Sequence, residues 1–128
     1  MDASLGIGID VVEVDRFRRC LERRPGLAGR LFTEAELAYG EGSSDPAPRL
    51  AGRFAAKEAA MKALGVGLGS FAWHDVEVTR APDGAPGLAV GGRAASLAGR
   101  RGVVGWRVSL THTRLLAAAV VLALGAPA

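Results

Sequence analysis

Glu58 and Lys62 stand four residues apart in the run Phe54-Ala-Ala-Lys-Glu-Ala-Ala-Met-Lys-Ala-Leu64. On a helix that spacing sets one side chain above the other. Taken alone, the pair is an exposed ion pair worth about 0.3–0.5 kcal/mol. The pattern around it argues for more. From Arg49 to Leu64 the sequence reads as a helix, ended by Gly65. One half of it is all small residues: Gly52, Ala55, Ala56, Ala59, Ala60 and Ala63. The other half mixes Leu50, Phe54, Met61 and Leu64 with Arg53, Lys57, Glu58 and Lys62. An ordinary surface helix keeps its charges opposite its large apolar residues. Charges that share a side with them point to a half-buried site, where a carboxylate needs a cation or a metal as partner.

Asp10 is the second candidate. It closes the apolar run Leu5-Gly-Ile-Gly-Ile and is followed by Val11 and Val12. A carboxylate at a strand end is either a cap or turn acceptor or a ligand. Mg²⁺ takes oxygen ligands, often one or two carboxylates, and fills its octahedron with water and substrate phosphate. Asp10 and Glu58 form such a pair if the strand packs on the long helix. Ser109-Leu-Thr-His112-Thr113 gathers hydroxyls and an imidazole at a strand end. A lone His is more often structural, and His74, without such neighbours, is read that way. Neither His makes a zinc pattern, and Cys20 alone is too few for a structural zinc site; it is read as inert. Gly65-Val-Gly-Leu-Gly69 allows close backbone approach to a ligand but is neither a P-loop nor a dinucleotide fingerprint.

The elements that must position these residues follow from periodicity and breakers. Leu5–Val12 reads as a strand. Glu13–Arg24 reads as a helix on Val14, Phe17 and Leu21, stopped by Pro25-Gly26. Thr33-Glu-Ala-Glu36 is a capping box that opens a short helix. Gly40–Pro48 reads as a loop, Trp73–Arg80 as a strand, Asp83-Gly84 as a turn and Ala94–Gly102 as a helix. Gly105–His112 and Leu116–Leu124 read as a closing antiparallel hairpin. Mixed order without strict alternation predicts an α+β fold, a small antiparallel sheet packed on the long central helix.

Composition bounds the function. The 128 residues predict one domain, 1–128. Hydrophobic residues make up 49% and aromatics 5%, so the core is built from Ala, Val and Leu and the chain is not disordered. One cysteine cannot form an internal bridge and suits a reducing cytoplasm. The start shows no basic segment followed by an apolar stretch, so no export signal is expected. The longest apolar run, Leu115–Leu124, is about half a membrane span. The net charge is +3, and the few aromatics are not interleaved with basic clusters, so no nucleic acid is expected. Both lysines, Lys57 and Lys62, fall on the helix that reads as the phosphate and metal site.

Four ordered blocks resemble holo-[acyl-carrier-protein] synthases, a 4′-phosphopantetheinyl transferase family. They are Gly6-Ile-Gly-Ile-Asp10-Val-Val-Glu-Val-Asp-Arg16-Phe17, Phe32-Thr-Glu-Ala-Glu36-Leu37, Arg49 to Gly65, and Val108-Ser-Leu-Thr-His112-Thr113 with Ala117-Ala-Ala-Val-Val121. The resemblance implies transfer of the phosphopantetheine arm of coenzyme A to a serine of an apo acyl carrier protein. The other product is adenosine 3′,5′-bisphosphate. It implies Mg²⁺ at Asp10 and Glu58, Lys62 at the phosphates, and Arg53, Gly65, His112 and Thr113 around the nucleotide and its phosphates. It also implies a homotrimer with sites at subunit boundaries, and a carrier protein docked by the helix that bears Arg16.

Within that scheme Mg²⁺ and Lys62 neutralise phosphate charge. Glu58, directly or through a water, is the candidate base, and Lys62 can also protonate the leaving phosphate. Arg16, Arg19 and Arg23 share one face of the first helix, either a solvated face or a dock for an acidic carrier. Two other readings stand beside this one. A Mg²⁺-dependent nucleotide or pyrophosphate hydrolase would use the same carboxylates with water. A non-catalytic coenzyme A or carrier-binding module would need none of them for turnover.

Overall fold

The computed structural model describes residues 4–127. Strand β1 (Ser4–Glu13) leads into helices α1 (Val14–Arg23), α2 (Leu27–Leu31), α3 (Glu34–Glu41) and α4 (Ala47–Leu64). A 3-10 turn (Trp73–Asp75) follows. Then come β2 (Val76–Arg80), β3 (Pro86–Val90), α5 (Gly92–Arg100), β4 (Val103–His112) and β5 (Leu116–Gly125). The sheet β1-β5-β4 is antiparallel throughout, and β2-β3 forms a separate antiparallel pair. The fold is α+β. Among the described residues no helix is long and apolar enough to cross a membrane.

The helix α4 lies on one face of the three-stranded sheet. Alternation along the strands sends Gly6, Gly8 and Asp10 to one side with Ala119, Val121 and Ala123 of β5. These β5 residues are buried in the core that α4 supplies. The small residues of α4 are what permit the contact. A Cβ on Gly8 would sit 1.8 Å from the Ala59 carbonyl oxygen, and one on Gly6 1.9 Å from that of Ala63. Only glycine opposite alanine lets backbone meet backbone this closely. Leu5, Ile7, Ile9 and Val11 point to the opposite, outer face and are exposed.

Local signals explain most boundaries. The Thr33 hydroxyl accepts from the Glu36 amide at 3.3 Å while Glu36 Oε1 accepts from the Thr33 amide at 3.0 Å, completing the capping box. Gly65 ends α4 in the left-handed region, at φ 68°.

Several expectations need correction. Trp73–Asp75 is a 3-10 turn, not strand, because Asp75 takes the Ala72 amide and then the amides of Arg93 and Ala94 at the start of α5. Proline in the first turn lets α4 begin at Ala47 rather than Arg49. The expected loop Gly40–Pro48 is therefore helical at both ends. The helix expected at Ala94–Gly102 runs from Gly92 to Arg100. The sequence reading has no helix at Leu27–Leu31 and no strand at Pro86–Val90, where the structure has α2 and β3.

Candidate active site

Asp10 reaches the α4 side of β1 through the same alternation that places Gly6 and Gly8 there. Glu58 and Lys62 stand one turn apart on α4. Lys62 Nζ does not pair with Glu58. It donates to the Ile9 carbonyl at 2.8 Å and lies 3.3 Å from Asp10 Oδ1. Glu58 is half-buried, and burial pushes its carboxyl above the usual range. The charge of Asp10 pushes it further, and Lys62 offsets only part. Two carboxylates that crowd each other beside a single lysine make a site short of positive charge.

That donor set fits a hard, oxygen-preferring cation. Among the described residues no three or more His, Cys, Asp or Glu converge as a metal site. Two carboxylates suit an ion that keeps water and substrate oxygens as its other ligands. They do not suit tetrahedral zinc.

The three residues open on a cavity of about 870 Å³ between α1, α2, α4 and the loop after α4. Asp10, Glu58 and Lys62 line it together with Arg16, and Phe17, Phe54, Phe71 and Trp73 give it an apolar wall. Phe54 packs on Phe17 and on Trp73, each at 5.3 Å between ring centroids. Gly65 caps α4; Leu68 and Gly69 of the following loop line the cavity instead.

Arg53, His112 and Thr113 are not in this cavity. Arg53 and His112 line a smaller pocket of about 200 Å³, and Thr113 lies beside His112 on a neighbouring surface. The predicted site residues thus fall into two groups within one subunit. Arg19 and Arg23 are exposed on α1 with Arg16. Arg30 of α2, which the sequence does not single out, shares the cavity wall with Arg16.

Lys57 does not join the phosphate and metal site. It is fully buried, 2.8 Å from the equally buried Glu36 Oε1, and donates to the carbonyls of Trp73 and Val76. Glu36 Oε2 accepts from the Val78 amide at 2.9 Å. Burial pushes Lys57 down from its usual range, and Glu36 opposes the shift. The pair ties α3, α4 and the start of β2 together. A capping-box Glu and an inward-facing Lys on one sequence were the available signal, but periodicity alone does not pair them.

A family model described as the 4′-phosphopantetheinyl transferase superfamily matches residues 6–121. The chain belongs to this superfamily. The match spans β1 through most of β5, and so includes both groups of site residues. Among curated relatives, the holo-[acyl-carrier-protein] synthase of Streptomyces avermitilis is 51% identical over 121 residues, covering 94% of this chain and 98% of that one. Among solved structures, the holo-[acyl-carrier-protein] synthase of Neisseria meningitidis superposes with a TM-score of 0.84 at 30% identity, over 94% of this chain and 98% of that one. The enzyme of that name from Bacillus anthracis, solved in complex with CoA (3′,5′-ADP), gives 0.80 at 30% identity, over 97% and 99%. This superfamily fold is therefore what brings Gly8, Ala59, Asp10 and Glu58 together here.

Proposed function

We propose that this chain is a holo-[acyl-carrier-protein] synthase. It moves the 4′-phosphopantetheine group of coenzyme A to a serine hydroxyl of an apo acyl carrier protein and releases adenosine 3′,5′-bisphosphate. The observation that carries this reading is that Asp10, Glu58 and Lys62 line one cavity together with an apolar wall. The charged residues suit a pyrophosphate and the apolar wall suits the pantetheine arm.

Asp10 and Glu58 would hold Mg²⁺, which supplies charge neutralisation on the pyrophosphate when bound. Lys62, tethered at Asp10 and half-exposed, donates to phosphate oxygens. Glu58, directly or through a water, takes the serine proton as the serine oxygen bonds to phosphorus. The bond from that phosphorus to the bridging oxygen breaks, and Lys62 is placed to protonate the leaving phosphate. Arg53, His112 and Thr113 contact the nucleotide and its phosphates.

The working form is a homotrimer whose sites lie between subunits. Two observations support this. Leu5, Ile7, Ile9 and Val11 leave one sheet face apolar and exposed. Arg53 and His112 lie outside the cavity of Asp10 and Glu58 within one subunit, so a second copy is needed to unite the groups. Arg16, Arg19 and Arg23, exposed and without ion pairs among the described residues, dock the acidic carrier. Arg18 between them is tied to Asp15 and Asp45. An exposed lone thiol, Cys20, suits a reducing cytoplasm.

The test is stoichiometric. Adenosine 3′,5′-bisphosphate should appear one-for-one with modified carrier, and only when apo carrier is present. Breakdown of coenzyme A without any carrier would instead indicate a hydrolase.

A further inference from the structure

Lys57 and Glu36 are fully buried and line no part of the cavity that Asp10, Glu58 and Lys62 share. An ammonium has three N–H donors and no acceptor. In Lys57 there is an oxygen for each donor: Glu36 Oε1 at 2.8 Å, the Trp73 carbonyl at 3.0 Å and the Val76 carbonyl. Glu36 is held as fully, since Oε1 also accepts from the Thr33 amide and Oε2 from the Val78 amide. An ammonium bonded in three directions cannot turn, so both carbonyls are fixed relative to α4.

Stability does not account for this arrangement. The desolvation of two buried charges can exceed what their attraction returns, and neutral side chains of similar volume often fold as well or better. What the pair supplies is position. The Trp73 ring lies 5.3 Å from Phe54, and Phe54 lies 5.3 Å from Phe17 of α1. Phe54 precedes Lys57 by three residues on α4, so the two side chains are neighbours on the helix surface. One holds the Trp73 ring and the other holds its carbonyl. All three rings line the cavity, and Lys57 stands behind them.

The chain that arrives at Trp73 needs such an anchor. From Val66 to Ala72 it forms neither helix nor strand, and Gly67 and Gly69 add backbone freedom. This segment brings Leu68, Gly69 and Phe71 to the same cavity. Its far end is fixed where Lys57 takes the Trp73 carbonyl.

We propose that Lys57, with Glu36 as its counter-ion, is a positioning residue: it pins the backbone at Trp73 and so sets the apolar wall on which the pantetheine arm lies. The proposal rests on the reading of this cavity as the seat of that arm. Lys57 touches neither substrate nor reacting atoms. Its loss acts through Trp73 and the segment before it.

The experiment measures Kd by calorimetry, with Mg²⁺, for coenzyme A and for adenosine 3′-phosphate 5′-diphosphate, which keeps all three phosphates and lacks only the pantetheine arm. The variant is the double substitution Glu36→Gln with Lys57→Met, which leaves no unpaired buried charge. It should raise Kd for coenzyme A about tenfold, the scale of one lost aromatic contact. Kd for the armless ligand should stay within about twofold of wild type. Amide hydrogen exchange should quicken over residues 66–76 and stay unchanged in β1 and β5. Trp73→Leu, which keeps the buried pair, should show the same selective rise for coenzyme A. A double variant that binds both ligands as wild type does, that weakens both equally, or that does not fold would overturn the positioning role. If Trp73→Leu alone is selective, that role fails while the seat of the arm stands. If Trp73→Leu is not selective, the arm does not lie on this wall and the proposal fails, while transfer to a carrier is judged separately by the mass of the carrier.

Discussion

Lys62 pairs with Asp10 on β1, not with Glu58 one turn before it on its own helix. Its ammonium also holds the Ile9 carbonyl, so it bridges the strand that carries one carboxylate to the helix that carries the other. Helical spacing alone pairs Lys62 with Glu58. The strand wins because Gly6 and Gly8 bring the β1 backbone within reach.

The role of Lys62 follows from that geometry. Lys62→Ala should lower kcat about 10²–10³-fold, as for other preorganised donors to developing charge. Stability should change little, because the Lys62 side chain is 54% exposed and an exposed ion pair is worth about 0–1 kcal/mol. Steady-state rates and a thermal melt on the same variant separate the two effects.

Glu58 trades stability for function. Its pKa is raised in the folded state, so the folded chain binds that proton more tightly than the unfolded chain does. The cost of charged Glu58 is therefore absent below the ordinary carboxylate range and appears as pH rises through the raised folded-state value. Glu58→Gln should melt higher than wild type at pH 8, with the difference shrinking toward pH 4. Its kcat/KM should fall by about 10²-fold or more. Added Mg²⁺ should raise the melting temperature of wild type and not that of Glu58→Gln. A variant that melts lower at pH 8 would contradict this.

The close approach of β1 to α4 admits no methyl group. Gly8→Ala places a Cβ against the Ala59 carbonyl and must push strand from helix. The expected loss is about 1–3 kcal/mol in denaturant unfolding. Activity should fall with it, since Asp10 moves away from Glu58. Gly29→Ala, where an added Cβ meets nothing within 4 Å, is the control and should cost neither.

The arginine face of α1 predicts a salt effect confined to one substrate. KM for the carrier protein should rise with ionic strength while KM for coenzyme A moves less. Neutralising Arg16, Arg19 and Arg23 together should flatten the carrier dependence. A carrier KM indifferent to salt in the wild type would count against docking on this face.

Much of this architecture is legible in the chain. The strand before Asp10, the capping box at Thr33, the helix ending at Gly65 and the closing hairpin all carry local signals, and the structure has each. The small half of α4 reads correctly as a surface for close packing. What escapes is non-local. Periodicity gives the side of the helix on which Lys57 stands but not its partner, because Glu36 comes from another element. Removing one member of that buried pair is costly, about 3–5 kcal/mol, because the other charge stays buried. The clustering of Arg49, Arg53 and Arg80 on Tyr39 joins α3, α4 and β2 and has no trace in any single segment. The same holds for the separation of Arg53 and His112 from the carboxylates.

Transfer itself is tested most directly by the intact mass of an apo acyl carrier protein after incubation with coenzyme A, Mg²⁺ and either wild type or Glu58→Gln. Wild type should add the mass of one phosphopantetheinyl group, and chelating the metal should prevent it. Glu58→Gln should add little or none in the same time. No gain on any apo carrier with wild type, or a gain by Glu58→Gln at the wild-type rate, would contradict the account.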